Sequence, residues 1–204
     1  MLAVPARLFY IARHGETDWN AEGRWQGQTD VPLNSTGRAQ AHGLAESLGS
    51  AGVGAIVSSD LARASETARI VADHLRLDVD YLDPELRERS LGVFDGLTRE
   101  ECESLHPEAW HEWLELRRPP PNAEHDDTLA VRVTAAMGRA VARTANANGP
   151  LLIVSHGGAI RASVAAATGL LPPPIANCGL WEIEWNARIV RAFASPLPAR
   201  PRTC

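Results

Sequence analysis

The chain has 204 residues, 45% of them apolar and 22% charged, with a formal net charge of −5; that length suits one domain, 1–204, whose core buries roughly 70% of the unfolded surface, and the charge balance argues against a nucleic-acid partner. Cys102, Cys178 and Cys204 are odd in number and lack metal-like spacing, as expected for free thiols in a reducing cytosol. No stretch reaches the 18 or so apolar residues that a membrane span needs, and Met1–Pro5 lacks the features of a signal peptide, so a cytoplasmic chain with no membrane partner is expected.

The first element is the apolar run Leu8-Phe9-Tyr10-Ile11-Ala12, short and rich in strand formers, which reads as a buried strand of a parallel sheet. Arg13-His14-Gly15-Glu16-Thr17 follows at its carboxyl end, where open α/β sheets place their ligands. Asn34-Ser35-Thr36-Gly37 reads as a helix start, with Ala41, Leu44, Ala45 and Leu48 on one face and glycines at 49, 52 and 54 as breaks. A second strand is expected at Ala55–Ser58, a helix over 61–75 and a third strand at Val79–Leu82. One or two helices over 98–116 carry Trp110 and Trp113, and Pro119-Pro120-Pro121-Asn122 is a loop.

An alanine-rich helix is expected over 127–147, stopped near Asn148-Gly149-Pro150. The next strand, Leu151–Val154, runs into Ser155-His156-Gly157-Gly158 and a helix that ends by Leu171-Pro172. Two strands near 178–185 and 188–194 follow, and the tail 195–204 is expected to fray. Alternating strands and helices imply an α/β sandwich on a mostly parallel sheet.

Two strands thus end in a histidine followed by glycine. If they are sheet neighbours, both imidazoles face one pocket. Phosphoryl transfer through histidine needs that arrangement: one imidazole attacks phosphorus while cationic donors hold the oxygens on which charge develops.

These residues carry a family resemblance. Arg13-His14-Gly15-Glu16-Thr17 with Trp19-Asn20, then Gln26-Gly27-Gln28-Thr29-Asp30 with Pro32-Leu33, resemble the opening of the histidine phosphatase superfamily, also called the phosphoglycerate mutase-like family. Ser58-Ser59-Asp60-Leu61-Ala62-Arg63-Ala64 with Thr67-Ala68 resembles its second-arginine motif. Leu86-Arg87-Glu88 with Leu91-Gly92 and Asp95-Gly96-Leu97-Thr98 resembles its acid-bearing motif, and Ser155-His156-Gly157-Gly158 its closing histidine motif. The five appear in the family's order. The resemblance implies a single-domain three-layer α/β/α sandwich with a mostly parallel central sheet, with a variable helical insert at about 98–126.

It also implies the roles. His14 is the expected nucleophile, its other ring nitrogen oriented by the carbonyl of Gly15. Arg13 and Arg63 are the phosphate clamps, because a planar guanidinium bonds two phosphate oxygens at once. The plain alternative for Arg63 is a helix-surface arginine in an Asp60–Glu66 charge cluster, a description that fits Arg38 and Arg69 better. His156 is taken to be charged, or at least a donor, with Gly157 and the helix start adding N–H groups. By composition Glu85 and Glu88 are rivals, each near an arginine, and only Glu88 matches the family position before Leu91-Gly92, so it is the candidate general acid and, later, the base for water; the alternative is a salt bridge to Arg87 or Arg89. Asn20, Gln26 and Gly27 complete the substrate contacts, Thr29 is second-tier with them, and Glu16 and Thr17 brace the loop. His42, His74, His106, His111 and His125 read as surface or structural. No metal and no cofactor are expected, since His125-Asp126-Asp127 are adjacent and cannot easily converge on one ion.

The expected activity is hydrolysis of a small-molecule phosphomonoester through a phosphohistidine. The alternatives are a phosphoglycerate mutase and, from another class, an inactive phosphate-binding or scaffold protein. Two departures from the family bear on this. The Gly-Glu-Ser-like turn of many family phosphatases is replaced by Asn122-Ala123-Glu124-His125-Asp126-Asp127-Thr128, and Leu91 stands where the mutases carry an aromatic. A short chain with a polar, proline-rich 119–127 in place of a lid favours the phosphatase. Oligomeric state is left open, a homodimer included.

Overall fold

The computed structural model describes residues 7–195; Cys204 and the tail beyond Ser195 lie outside them. Strand β1 (Arg7–Arg13) has the predicted apolar run at its centre, with Phe9 and Ile11 turned to one side of the sheet and Ala12 to the other. It pairs in parallel with β4 (Leu151–Ser155), which pairs in parallel with β2 (Ala55–Ser58), and that with β3 (Tyr81–Leu82). On its other side β1 takes β5 (Leu180–Trp185) antiparallel, followed by β6 (Ile189–Ala194). The six-stranded order is β3-β2-β4-β1-β5-β6.

Alternation along the strands sorts the helices into two layers. Phe9, Ile11, Leu151 and Ile153 meet α6 (Asp126–Arg143) and α7 (Gly157–Thr168). Ala12, Ile56, Leu152 and Val154 meet α2 (Ser35–Leu48) and α3 (Ala62–Leu75). This is the expected α/β/α sandwich. The one-turn helix α1 (Asp18–Ala21) starts at a capping box between Thr17 and Asn20, and Asn34 caps α2 by accepting from Gly37 N at 2.8 Å. The 98–116 stretch forms two helices, α4 (Arg99–Leu105) and α5 (Pro107–Glu115), split at His106-Pro107. They enclose a satellite core of Leu91, Phe94, Cys102 and Trp110.

Three boundaries differ from the periodicity. Helix α6 stops at Arg143, four residues early, because Arg7 donates to the carbonyls of Val141 and Thr144 at 2.8 Å and so satisfies the helix end from across the chain. Strand β3 is shorter than 79–82, since the Asp80 carboxylate, not a further ladder partner, takes the Ile56 N–H at 2.8 Å. Residues 178–179 turn rather than extend: Cys178 has φ +55°, and its N–H points at the carbonyls of Arg13 and His14. Among the described residues no helix is long and apolar enough to cross a membrane.

Candidate active site

The β1–β4 register places Arg13 opposite Ser155. His14 and His156 are therefore the next residues out of two adjacent parallel strands, and their rings lie 5.1 Å apart, centroid to centroid. The His14 N–H bonds Ser155 O at 3.0 Å, fastening the two strand ends. Gly15 and Gly37 let α2 sit directly on this loop: a Cβ on Gly15 would strike the Gly37 carbonyl, and one on Gly37 the Glu16 carbonyl.

His14 is 3% exposed and His156 fully buried. The His14 Nδ1 lies 2.6 Å from Gly15 O, which can only accept, so Nδ1 carries the proton and Nε2 keeps its lone pair. His156 Nε2 lies 2.9 Å from Ser59 Oγ, which also accepts from Leu61 N at 3.4 Å. Ser59 Oγ has no other acceptor for its proton among the described residues, so that proton is assigned to Nε2, which places the N–H of His156 on Nδ1. Burial holds both imidazoles well below the usual histidine value, and Arg63 and Arg13 push the same way. Burial thus disfavours the charged form of His156 and favours the donor form, the second option of the expectation.

Arg63 is the largest fully buried side chain of the described residues, not part of a surface charge cluster. Its Nη1 and Nη2 donate to the carbonyls of Thr29 and Gly27, each at 2.8 Å. The charge pairs of that region are instead Arg38–Glu66 and Arg87–Asp60, both at 2.6 Å. Burial lowers Arg63 to about 10, which leaves it charged at pH 7, and Glu88 acts on it in the opposite sense. Arg13, also lowered by burial and raised by Glu88, donates from Nη1 to Ile175 O at 2.7 Å. Gly157 packs on its stem: a Cβ there would lie 3.3 Å from Arg13 Cδ.

Glu88 accepts from Arg89 N and from Gly158 N, each at 2.8 Å, so its carboxylate sits on the first turn of α7. A Cβ on Gly158 would come within 2.5 Å of Glu88 Oε1, so only glycine leaves the carboxylate in place. Of the remaining predicted contacts, Gly27 has φ +50° and its Cα faces Asp95, and Gln26 is buried with Oε1 unbonded among the described residues. Asn20 spends its Oδ1 on the Thr17 cap and on Asn177 Nδ2 at 3.2 Å. Sequence reasoning missed Asn177, which also reaches His14 O at 3.2 Å, and Ser59, which sets the His156 tautomer. Of the two, only Ser59 lies in a stretch that carries a signal, the second-arginine motif.

The observation with most chemical content is a set of three buried donors. Arg13 Nε, Arg63 Nε and His156 Nδ1 have no hydrogen-bond partner among the described residues. Buried donors left unpaired are costly, and three of them beside a neutral imidazole suit an anion with several acceptor oxygens. Among the described residues no group of three or more His, Cys, Asp or Glu is arranged to hold a metal ion.

A model of the histidine phosphatase superfamily (branch 1) matches residues 9–191. The chain belongs to this superfamily. A probable phosphoglycerate mutase of Enterobacter sp. (strain 638) is 41% identical over 192 residues, covering 87% of this chain and 84% of the relative. A Bacillus subtilis (strain 168) phosphatase, PhoE, named as uncharacterized, is 36% identical over 159 residues, 78% of this chain and 76% of its own. A mycobacterial glucosyl-3-phosphoglycerate phosphatase solved with VO3 superposes with a TM-score of 0.80 at 33% identity, covering 93% of this chain and 97% of that one. The superfamily is one of enzymes, with mutase and phosphatase members.

The two neutral histidines make a stability prediction. In the unfolded chain each titrates near 6.5; folded, each binds its proton only at lower pH. Above 6.5 neither state is charged and the contribution is flat. Below 6.5 the unfolded chain takes up protons that the folded chain refuses, so folding weakens as pH falls, by up to about 1.4 kcal/mol per pH unit per histidine. The drop in melting temperature from pH 7 to pH 5.5 should therefore be smaller in His14→Asn than in the wild type. Equal drops in the two proteins would show that His14 is not held neutral.

Proposed function

We propose that the chain is a metal-independent phosphomonoester phosphatase that works through a phosphohistidine at His14. The observation that carries this reading is the neutral His14, its Nδ1 committed to Gly15 O, set among three unpartnered buried donors. The Nε2 lone pair attacks phosphorus, and the P–O bond to the alcohol breaks. Arg13, Arg63 and His156 hold the three equatorial oxygens where charge accumulates. The Glu88 carboxyl passes a proton to the leaving oxygen and then takes one from the water that attacks the phosphohistidine, and inorganic phosphate leaves. The substrate is a small phosphorylated metabolite, and the setting is the cytoplasm.

The phosphatase reading is preferred over the mutase because the segment that would have to close the site is held down against the 90–93 loop. Val93 N bonds Pro121 O at 3.2 Å and Glu124 N bonds Ser90 O at 2.9 Å, which stitches 119–124 to the 90–93 loop. Leu91, standing where the mutases have an aromatic, packs into the satellite core beside Phe94 and Trp110. The name of the Enterobacter relative is what favours the mutase alternative. A catalytically inactive phosphate binder is disfavoured because all five residues of the phosphate site are present.

The deciding experiment offers a panel of phosphomonoesters to the purified chain and follows phosphate release alongside interconversion of 3- and 2-phosphoglycerate. Release from several esters, with little dependence on bisphosphoglycerate and unchanged by EDTA, is expected. Interconversion much faster than any hydrolysis would hand the chain to the mutases. Loss of activity in EDTA, restored by a divalent ion, would replace the phosphohistidine route by a metal-assisted one.

A further inference from the structure

The segment that carries Glu88 is irregular, a 3-10 turn at Pro84–Leu86 followed by extended residues, so its carbonyls have no ladder to join. Four consecutive ones are nevertheless satisfied by side chains from other elements. Ser155 Oγ, at the end of β4, donates to Leu86 O at 2.8 Å. Arg132 of α6 donates to all of the other three: its Nη1 to Glu85 O at 2.8 Å and Arg87 O at 2.9 Å, and its Nη2 to Glu88 O at 3.0 Å, a carbonyl that also accepts from Gln28 Nε2 at 3.1 Å. The remaining N–H groups of that guanidinium meet Glu124, Nε to Oε1 at 2.6 Å and Nη2 to Oε2 at 2.7 Å. All five donors of Arg132 are thus used, and both side chains of the pair are only 14% exposed.

An arginine saturated in this way is a rigid fork rather than a surface charge. Glu124 fixes the guanidinium plane, and the plane fixes the three carbonyls. The last of these belongs to Glu88, whose carboxylate must land on Gly158 N. Glu124 also lies in the stretch that departs from the family's turn, and Arg132 belongs to none of the sequence motifs. Neither side chain makes a hydrogen bond to Arg13, His14, Arg63 or His156.

We propose that Arg132, oriented by Glu124, is a positioning residue for the catalytic carboxylate: it holds the 85–88 backbone so that Glu88 reaches the leaving oxygen. The inference rests on the reading of Glu88 as the general acid and predicts more than a loss of stability. A general acid matters most when the leaving group is a poor one, so a displaced Glu88 penalises poor leaving groups selectively. Misplacement of about 1 Å costs up to roughly 10²-fold.

The test measures kcat/KM of wild type, Arg132→Met, Arg132→Lys, Glu124→Gln and Glu88→Gln on a series running from alkyl phosphates through phenyl phosphate to 2,4-dinitrophenyl phosphate. Arg132→Met should lose roughly 30–100-fold on alkyl phosphates and under about threefold on the dinitrophenyl ester, with Arg132→Lys and Glu124→Gln between it and the wild type. Binding of orthovanadate, which reads the phosphate cradle, should stay within about threefold in all three. Glu88→Gln is the control and should show the same selective pattern more strongly. If it does, and the Arg132 and Glu124 variants lose equally on every ester or on none, the positioning role is overturned and the acid stands. If Glu88→Gln itself shows no leaving-group selectivity, the acid assignment is what fails. Should Arg132→Met not fold, the two conservative variants give the same readout: selective loss supports the role, and uniform loss overturns it.

Discussion

Alanine at position 14 is expected to stop turnover while leaving a folded chain that still binds phosphate. The loss in kcat should be at least about 10⁴-fold, because removal of the nucleophile leaves only the residual catalysis of the oxyanion donors. Stability should fall little. His14 is buried, but it is a neutral ring at a strand end with one short bond to Gly15 O, and a hydrogen bond of that kind contributes about 1 kcal/mol. If Arg13, Arg63 and His156 hold the oxyanion as proposed, orthovanadate should still protect the variant against heat. The wild type, quenched soon after mixing with labelled substrate, should yield a phosphoprotein that is labile in acid and stable in base, as a phosphoramidate is, and His14→Ala should yield none. Label retained in the variant would place the covalent step on another residue.

The amino-acid order says more about the two histidines than composition alone suggests. Each follows a short apolar run, and that pattern by itself places each at a strand end. What the runs do not encode is that β1 and β4 are neighbours in register, which brings the rings to 5.1 Å; sheet order is set by crossovers of more than a hundred residues. Arg63 shows the opposite limit. It stands among Asp60, Glu66 and Arg69 on a helix and by composition reads as solvated, yet it is fully buried. Only the ordered motifs point inward.

The residues that support the site are hardest to read. Ser59, Asn177 and Arg132 act through partners 97, 163 and 44 to 47 positions away, and no local period records such pairings. The charge of His156 escapes a sequence reading for a related reason. Its hydrogen-bonding type is visible in the sequence, but its protonation depends on complete burial and on the charges of Arg63, Arg13 and Arg132. The 119–127 stretch is legible as a break but not as a brace for the 90–93 loop, since proline and polar residues serve either purpose.

Arg63→Lys is expected to separate the two tasks of that residue. A buried guanidinium that braces Gly27 O and Thr29 O through its two Nη atoms still has Nε–H for a phosphate oxygen. An ammonium offers three donors from one point and cannot span two carbonyls and a phosphate together. The lysine variant keeps a positive charge for the carbonyls, so it should lose less stability than Arg63→Met. The methionine variant leaves Gly27 O without a donor and Thr29 O with Val31 N alone, and should cost about 2–4 kcal/mol. Catalysis should rank differently: on the proposed role of Arg63, both variants lose the unpartnered Nε–H and with it roughly 10²–10³-fold in kcat/KM. The 26–29 loop hangs from the same guanidinium, with Gly27 in a left-handed conformation against Asp95, so part of the loss should appear as a raised KM. Thermal melts and steady-state kinetics on the same preparations give the comparison. Lysine activity within about threefold of wild type would mean that charge alone suffices at position 63 and that the fork is not used.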